Sequence, residues 1–199
     1  MARLRTLVGR DLVSLAATMP GVTIRKGDRI NKGWAGHTIE RYLGLPLNSS
    51  QSPNFGSWEL KVVPVRAIHG STFKVKETMA ITMIDPVEVA EKEFRDSHLF
   101  LKLQRMVVVA RVFESKAETR SLCHLITEFD LGDEELYQQI KADYDLIRET
   151  ICSKGFEHLS GSMGIMVQPR TKGPGHGSTS RAFYARTRLV ARILGMGDR

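Results

Sequence analysis

Two hydrophobic periods divide the chain, one close to helical and one alternating, and together they predict its elements. Residues 3–18 set Leu4, Leu7, Val8, Leu12 and Leu15 near helical spacing and predict a short helix. The run 33–44, GWAGHTIERYLG, predicts a second helix closed by Gly44, a residue type that readily takes the left-handed conformation after a last turn. A turn-rich stretch, LPLNSSQSPNFGS, then gives way to WELKVVPV, where Val62, Val63 and Val65 predict a strand with Pro64 near its end. Residues 78–84 (TMAITMI), 106–113 (MVVVARVF) and 121–127 (SLCHLIT) predict further strands. The intervening EVAEKEFRDSHLFLKLQ reads as helical until it turns into the strand at 106. Residues 133–153 form the clearest helix. Leu136, Ile140, Tyr144, Ile147 and Ile151 share a face, and Asp133, Glu134 and Glu135 sit in the first turn, where the helix dipole favours carboxylates. The remainder begins as a glycine-rich loop and is expected to become helical from about Arg181, with Phe183, Leu189, Val190, Ile193 and Leu194 on its apolar side. The order implies an α/β fold with a mixed central sheet flanked by helices. It also suggests a division into a body of residues 1–153 and a C-terminal lobe of residues 154–199 packed on it.

Charge changes this picture more than composition does. A hydrophobic fraction of 42% in 199 residues supports a core without disulfides. Cys123 and Cys152 make no metal or redox motif, suit a reducing compartment and are expected to be small buried hydrophobes. No run approaches the ~20 apolar residues of a membrane span. The first apolar stretch is broken by Asp11 and Ser14, which argues against a signal peptide and for a cytoplasmic protein. The net charge of +7 argues for a polyanionic partner. Between residues 160 and 195 there are six basic residues, Arg170, Lys172, Arg181, Arg186, Arg188 and Arg192, and no acidic ones. The C-terminal lobe is therefore expected to face nucleic acid, against the plainer alternative of a solvated basic face.

Glu59-Leu60-Lys61 opens the first strand, so Glu59 and Lys61 project to one side and Leu60 and Val62 to the other. A carboxylate beside an ammonium can hold a hard divalent cation and orient a water, the pairing that phosphodiester hydrolysis needs. The triplet alone also fits a solvated ion pair.

Its neighbours sharpen the reading. NKGWAGHTIERYLG (31–44), NFGSWELKVVPV (54–65), HLFLKLQR (98–105) and MVQPRTKGPGHGSTSRAFYAR (166–186) resemble, in order, successive blocks of the MutH-like family of PD-(D/E)xK nucleases. The resemblance runs from about Asn31 to Leu194. It implies a restriction-endonuclease-like core and Mg²⁺-dependent cleavage of double-stranded DNA at GATC or a related short palindrome, leaving 5′-phosphates. It implies a catalytic set of Glu40, residue 54, Glu59, Lys61 and Lys102, with residue 54 and Glu59 on the metal. It implies DNA contacts at Lys32, Arg170, Lys172, His176, Ser178, Arg181, Tyr184 and Arg186. It also implies a homodimer or a monomer that cuts one strand at a time, in the nucleoid of a prokaryotic cell.

One position departs from the family pattern. Asn54 stands where the pattern has aspartate, and the interval to Glu59 is shorter than in the mismatch-repair member. Asparagine keeps one acceptor oxygen but lacks the charge, so impaired cleavage with retained DNA recognition is expected. An aspartate exchanged to trap uncleaved DNA and a natural variant relying on Glu40 and Glu59 both account for it. The completeness of the other blocks favours the first. The alternative function is a sequence-specific DNA-binding module without activity.

In the last block, Arg170 has the donor geometry for guanine O6 and N7, and Lys172 reaches a base or a phosphate. His176 and Ser178 supply short donors for phosphate oxygens, and a helix start near Arg181 would add a phosphate site. His37 reads as helix-surface packing, and Trp34 and Trp58 as core anchors.

Overall fold

The computed structural model describes residues 1–45, 53–68, 72–173 and 179–197. The chain begins with α1 (Ala2–Arg5), α2 (Leu12–Ala17), two short strands β1 (Arg25–Lys26) and β2 (Arg29–Ile30), and α3 (Trp34–Leu43). Next come β3 (Glu59–Ala67), β4 (Phe73–Val75), β5 (Met79–Met83), α4 (Pro86–Glu91), α5 (His98–Leu103), β6 (Arg105–Val112) and β7 (Cys123–Asp130). The long α6 (Glu134–Lys154), β8 (Val167–Thr171), β9 (Arg181–Ala185) and α7 (Thr187–Ile193) complete it.

The expected α/β architecture is present. β4, β3, β6 and β7 form a mixed sheet in that order, with β3 parallel to β6 and the other neighbours antiparallel. The sheet separates two cores. Met106, Val108 and Ala110 of β6 face one, and Val107 and Val109 face the other. Burial on both sides explains the uninterrupted apolar run in β6. On β3, Val63 and Val65 belong to the first core and Leu60 to the second. Glu59 and Lys61 therefore lie on the first-core face, just before its apolar packing begins. Pro64 is tolerated inside β3 because its carbonyl accepts from Lys76 N on the β4 side. Its missing N–H points that way as well, and the ladder to β6 is intact.

Several expectations are corrected in detail. The segment from Arg181 is a strand, not a helix: β9 lies between β5 and β8 in a second, antiparallel sheet. Ladders on both sides satisfy its backbone, and Phe183 enters the first core from a strand. No helix begins at Arg181, so no helix-terminal phosphate site exists there; α7 starts at Thr187. The first helix is two helices, because Asp11 caps α2 by accepting from Val13 N and Ser14 N. The segment after β5 is broken likewise: Ser97 Oγ caps α5 by accepting from Phe100 N. Cys123 is buried as expected, whereas Cys152 is exposed.

The second sheet is fastened to α6 by one carboxylate. Asp143 is buried and accepts from the backbone N–H groups of Ile165, Met166 and Val167 at 2.8, 2.6 and 2.8 Å. The segment it grips turns at Gly164, where φ is +74° and a Cβ would collide with the Val167 carbonyl. Asp143→Ala leaves those donors without their acceptor, and charge-assisted bonds of this kind are worth more than neutral ones. A loss of about 2–4 kcal/mol is expected, read as a fall in the urea midpoint at unchanged slope.

Candidate active site

Glu59 is the pivot of the site. It is 1% exposed, and its Oε1 accepts from Lys61 Nζ at 2.7 Å and Lys102 Nζ at 3.3 Å. Its Oε2 accepts from Asn54 N at 3.3 Å. A buried carboxylate between two ammonium groups is tolerable only because both are in contact with it. Lys102 is turned inward by its own helix, where buried Leu99 and Leu103 seat α5 on the first core. Lys61 also donates to Ile81 O at 3.2 Å. Ile81 is passed over in the β5–β9 register, which shifts between Ala80 and Thr82.

Asn54 ties Glu59 to α3. Its Oδ1 accepts from Leu60 N at 2.7 Å, and its Nδ2 donates to Glu40 Oε1 at 3.0 Å. The amide orientation is fixed by these partners, since a backbone N–H needs the oxygen and a carboxylate needs the nitrogen. α3 presents Glu40 because Trp34, Thr38 and Ile39 are buried on its other side and Gly44, at φ +75°, ends the helix. These residues line a cleft of about 1000 Å³, which Lys32 and Lys172 also border.

The family described as DNA mismatch repair enzyme MutH matches residues 43–143, just over half of the chain. The chain belongs to the MutH family. Proteins named DNA mismatch repair protein MutH are similar to it over nearly its whole length. That of Vibrio campbellii is 27% identical across 98% of this chain and 91% of its own, and that of a Shewanella species 27% across 98% and 92%. That of Haemophilus ducreyi is 28% identical across 98% and 91%.

All five residues expected as the catalytic set, Glu40, Asn54, Glu59, Lys61 and Lys102, line this one cleft of the MutH-family fold. The expected DNA-contact residues divide. Lys32 and Lys172 border the cleft. Arg170 Nη1 donates to Thr78 Oγ1 at 2.7 Å, and its guanidinium lies 5.5 Å from the Tyr184 ring centre. Arg181 bonds Thr171 Oγ1 and Glu157 O and lies over the Phe156 ring. Arg186 is placed apart: it donates to the carbonyls of Gly161, Gly164 and Met163 at 2.9–3.0 Å, closing from the other side the loop that Asp143 holds. His176 and Ser178 lie outside the described residues. His37 is half-buried on α3, Trp34 is fully buried, and Trp58 is half-buried.

Sequence reasoning missed Arg111, a buried cation at the cleft wall held by Glu118 at 2.7 and 2.9 Å. It also missed Thr78. A hydroxyl and a strand arginine carry no spacing signal for such roles. The N-terminal basic residues did carry one, because residues 1–32 hold seven Lys or Arg against two Asp.

Among the described residues no three His, Cys, Asp or Glu side chains gather as a ligand group. Glu40 and Glu59 flank Asn54, whose amide nitrogen faces Glu40 and whose oxygen is taken by Leu60 N, and a hard cation needs only one or two protein carboxylates when phosphate and water complete its shell. The two carboxylates fit such an ion, while position 54 lacks the charge of an aspartate and has its one acceptor oxygen engaged by Leu60 N.

Burial shifts two groups here. It raises the Glu40 pKa, helped by Glu59 and opposed by His37, the Asn54 bond and Lys61. It lowers the Lys61 pKa, against the pull of Glu59, with Lys102 and Lys172 adding to the lowering. The folded chain thus keeps a proton on Glu40 at pH values where the unfolded chain has released it. Stability from this group is full below the ordinary glutamate range, about 4.3, and is lost as pH rises through the raised value. Glu40→Gln cannot ionise and still accepts from Asn54. Its melting temperature relative to the unaltered chain is expected to climb between about pH 4 and about pH 7, as followed by thermal unfolding across that range.

Proposed function

We propose that this chain is built as a Mg²⁺-dependent endonuclease that cuts double-stranded DNA at GATC or a related short palindrome, and that Asn54 impairs cleavage. The supporting observation is the buried Glu59 held between Lys61 and Lys102 and linked through Asn54 to Glu40, in a cleft of a MutH-family chain. The relatives are named as DNA mismatch repair proteins, which agrees with a DNA substrate.

In this reading Glu59 and Asn54 hold the cation, with Glu40 beside them. The chemistry such an ion supplies is stabilisation of charge on the phosphoryl oxygens and a lowered pKa of bound water. Lys61, held by Glu59 and Ile81 O, donates to and orients the water that attacks phosphorus. Lys102 holds Glu59 Oε1 in place from the other side. Attack forms the new P–O bond as the bond to O3′ breaks, leaving a 3′-hydroxyl and a 5′-phosphate.

Recognition falls to the second sheet, where β8 and β9 of a C-terminal lobe of residues 154–199 join β5 of the body 1–153. Arg170, held by Thr78 and Tyr184, faces guanine O6 and N7. Lys32, Lys172 and Arg181 serve phosphates, and His176 and Ser178 join them from the segment outside the described residues. Arg186 supports this lobe by fixing the loop before β8. A palindrome is cut by a homodimer or by a monomer acting on one strand at a time. No helix among the described residues is long and apolar enough to cross a membrane. The proposed place of action is the nucleoid in a prokaryotic cytoplasm.

One observation favours a second reading, a DNA-binding module that does not cut. The Asn54 amide satisfies Glu40 and Leu60 N together, closing the network without a cation. Incubating a mixed-sequence plasmid with Mg²⁺ and either the unaltered chain or Asn54→Asp separates the two. Discrete fragments support the nuclease, and their ends give the target. Salt-sensitive binding without cutting by either protein supports the module.

A further inference from the structure

The β1–β2 hairpin presents Arg25, Lys26 and Arg29 to solvent around a Gly27-Asp28 turn and runs directly into Asn31 and Lys32. Its register sets Lys26 opposite Arg29 and Arg25 opposite Ile30. Like charges directly across a ladder are destabilising, and a two-stranded hairpin is marginal to begin with. Neither Lys26 nor Arg29 forms an ion pair among the described residues. Asp28 in the turn is the one carboxylate of the hairpin, so the tip keeps a net positive charge.

The hairpin is nonetheless firmly rooted. Ile24 and Ile30 pack on the second core. Asn31 N donates to Ile24 O at 2.8 Å, Asn31 Nδ2 to Thr23 O at 2.9 Å, and Arg25 Nη2 to Ala117 O at 2.8 Å. Asn31 Oδ1 accepts from Gly33 N at 3.3 Å, which joins the hairpin to the start of α3. That wall of the cleft carries Lys32, Gly33 and Glu40, and Lys172 from the second sheet borders the same space. A fixed tip of facing cations beside such a cleft suits a ligand that brings closely spaced negative charges.

From this arrangement we infer that the β1–β2 hairpin is a second, sequence-independent grip on DNA, with Lys26 and Arg29 each contacting a backbone phosphate beside the cleaved site. The inference rests on the endonuclease reading and names a contact surface distinct from the base-reading sheet. Phosphates rather than bases are the partner, because among the described residues no hydrogen bond or ion pair from a neighbouring side chain orients either cation for a base edge. Arg170, by contrast, is held by Thr78 and Tyr184.

The test compares the full unaltered chain with Lys26→Gln/Arg29→Gln in binding a target duplex and a scrambled duplex, without divalent metal, from about 50 to about 200 mM salt. Each lost phosphate contact reduces the steepness of log K against log salt by about 0.9, so a slope shallower by about 1.8 is expected. The ratio of target to scrambled affinity should be unchanged, and Lys26→Arg should keep the slope. Thermal unfolding should show the double variant no less stable, since the substitutions remove a repulsion. An unchanged slope overturns the inference while leaving the endonuclease reading intact. A changed target-to-scrambled ratio overturns it in favour of base reading. Failure of the unaltered chain to bind either duplex overturns the inference and the endonuclease reading together.

Discussion

Asn54→Asp is expected to raise Mg²⁺-dependent DNA cleavage by about 100-fold or more. Metal assistance to phosphoryl transfer is worth several kcal/mol, and each ~1.4 kcal/mol is a factor of ten in rate. The structure adds a second signature. The Asn54 Nδ2 that donates to Glu40 at 3.0 Å would become an oxygen, setting two carboxylates in contact on a half-buried wall. Like charges there disfavour joint ionisation, and the Glu40 pKa, already raised by burial, should rise further. Without metal the variant should therefore melt below the unaltered chain at neutral pH. Added Mg²⁺ should recover the difference by binding the folded state, whereas the unaltered chain should respond much less. Cleavage assays and melting curves with and without Mg²⁺ check both halves. A variant that binds DNA, shows no Mg²⁺-dependent stabilisation and does not cut would remove metal-assisted hydrolysis from the reading.

What the sequence made legible follows from the range of the interactions involved. The face shared by Glu59 and Lys61 follows from strand alternation alone. The end of α3 follows from Gly44, and the buried face of α6 from its apolar spacing, because each is a local rule. For β9 the local signal points the other way, because RAFYARTRLVARILG carries helical spacing from Phe183 onward, while the decision against helix comes from β5, about 100 residues earlier in the chain. The inward turn of Lys102 is equally non-local. It depends on Leu99 and Leu103 seating a helix that Ser97 restarts, whereas the segment read as one longer helix. The family blocks supplied Glu40 and Lys102 as candidates, and packing alone explains how they reach Glu59. For Arg186, proximity in sequence to Tyr184 concealed a different environment, because the last residues of a strand and the cap of the following helix face different partners.

Glu59 carries the second large expected effect, on stability and on chemistry at once. Glu59→Gln keeps the shape of the side chain but removes the charge that Lys61 and Lys102 share at 2.7 and 3.3 Å. Removing one partner of a buried charge cluster commonly costs about 3–5 kcal/mol, because the charges left behind stay desolvated. Lys61 keeps 21% of its side chain in solvent, which places the expected loss at the lower end, about 3 kcal/mol. The pH dependence identifies the cause. Burial already lowers the Lys61 pKa, and losing Glu59 should lower it further, so the unfolded variant binds more protons than the folded one over a wider window below the ordinary lysine value. Stability of Glu59→Gln should therefore rise with pH through that window, more steeply than in the unaltered chain. Adding Lys102→Met should restore part of the loss by replacing one stranded charge with an apolar chain of similar length. In the Asn54→Asp background, Glu59→Gln should return cleavage to the uncatalysed level while leaving the salt slope of DNA binding unchanged. A double-mutant cycle in urea gives the coupling between Glu59 and Lys102. Coupling near zero would show that the Lys102 contact does not stabilise Glu59, and cleavage retained by Glu59→Gln would leave the Glu-x-Lys pair a structural ion pair and the cleft without its central carboxylate.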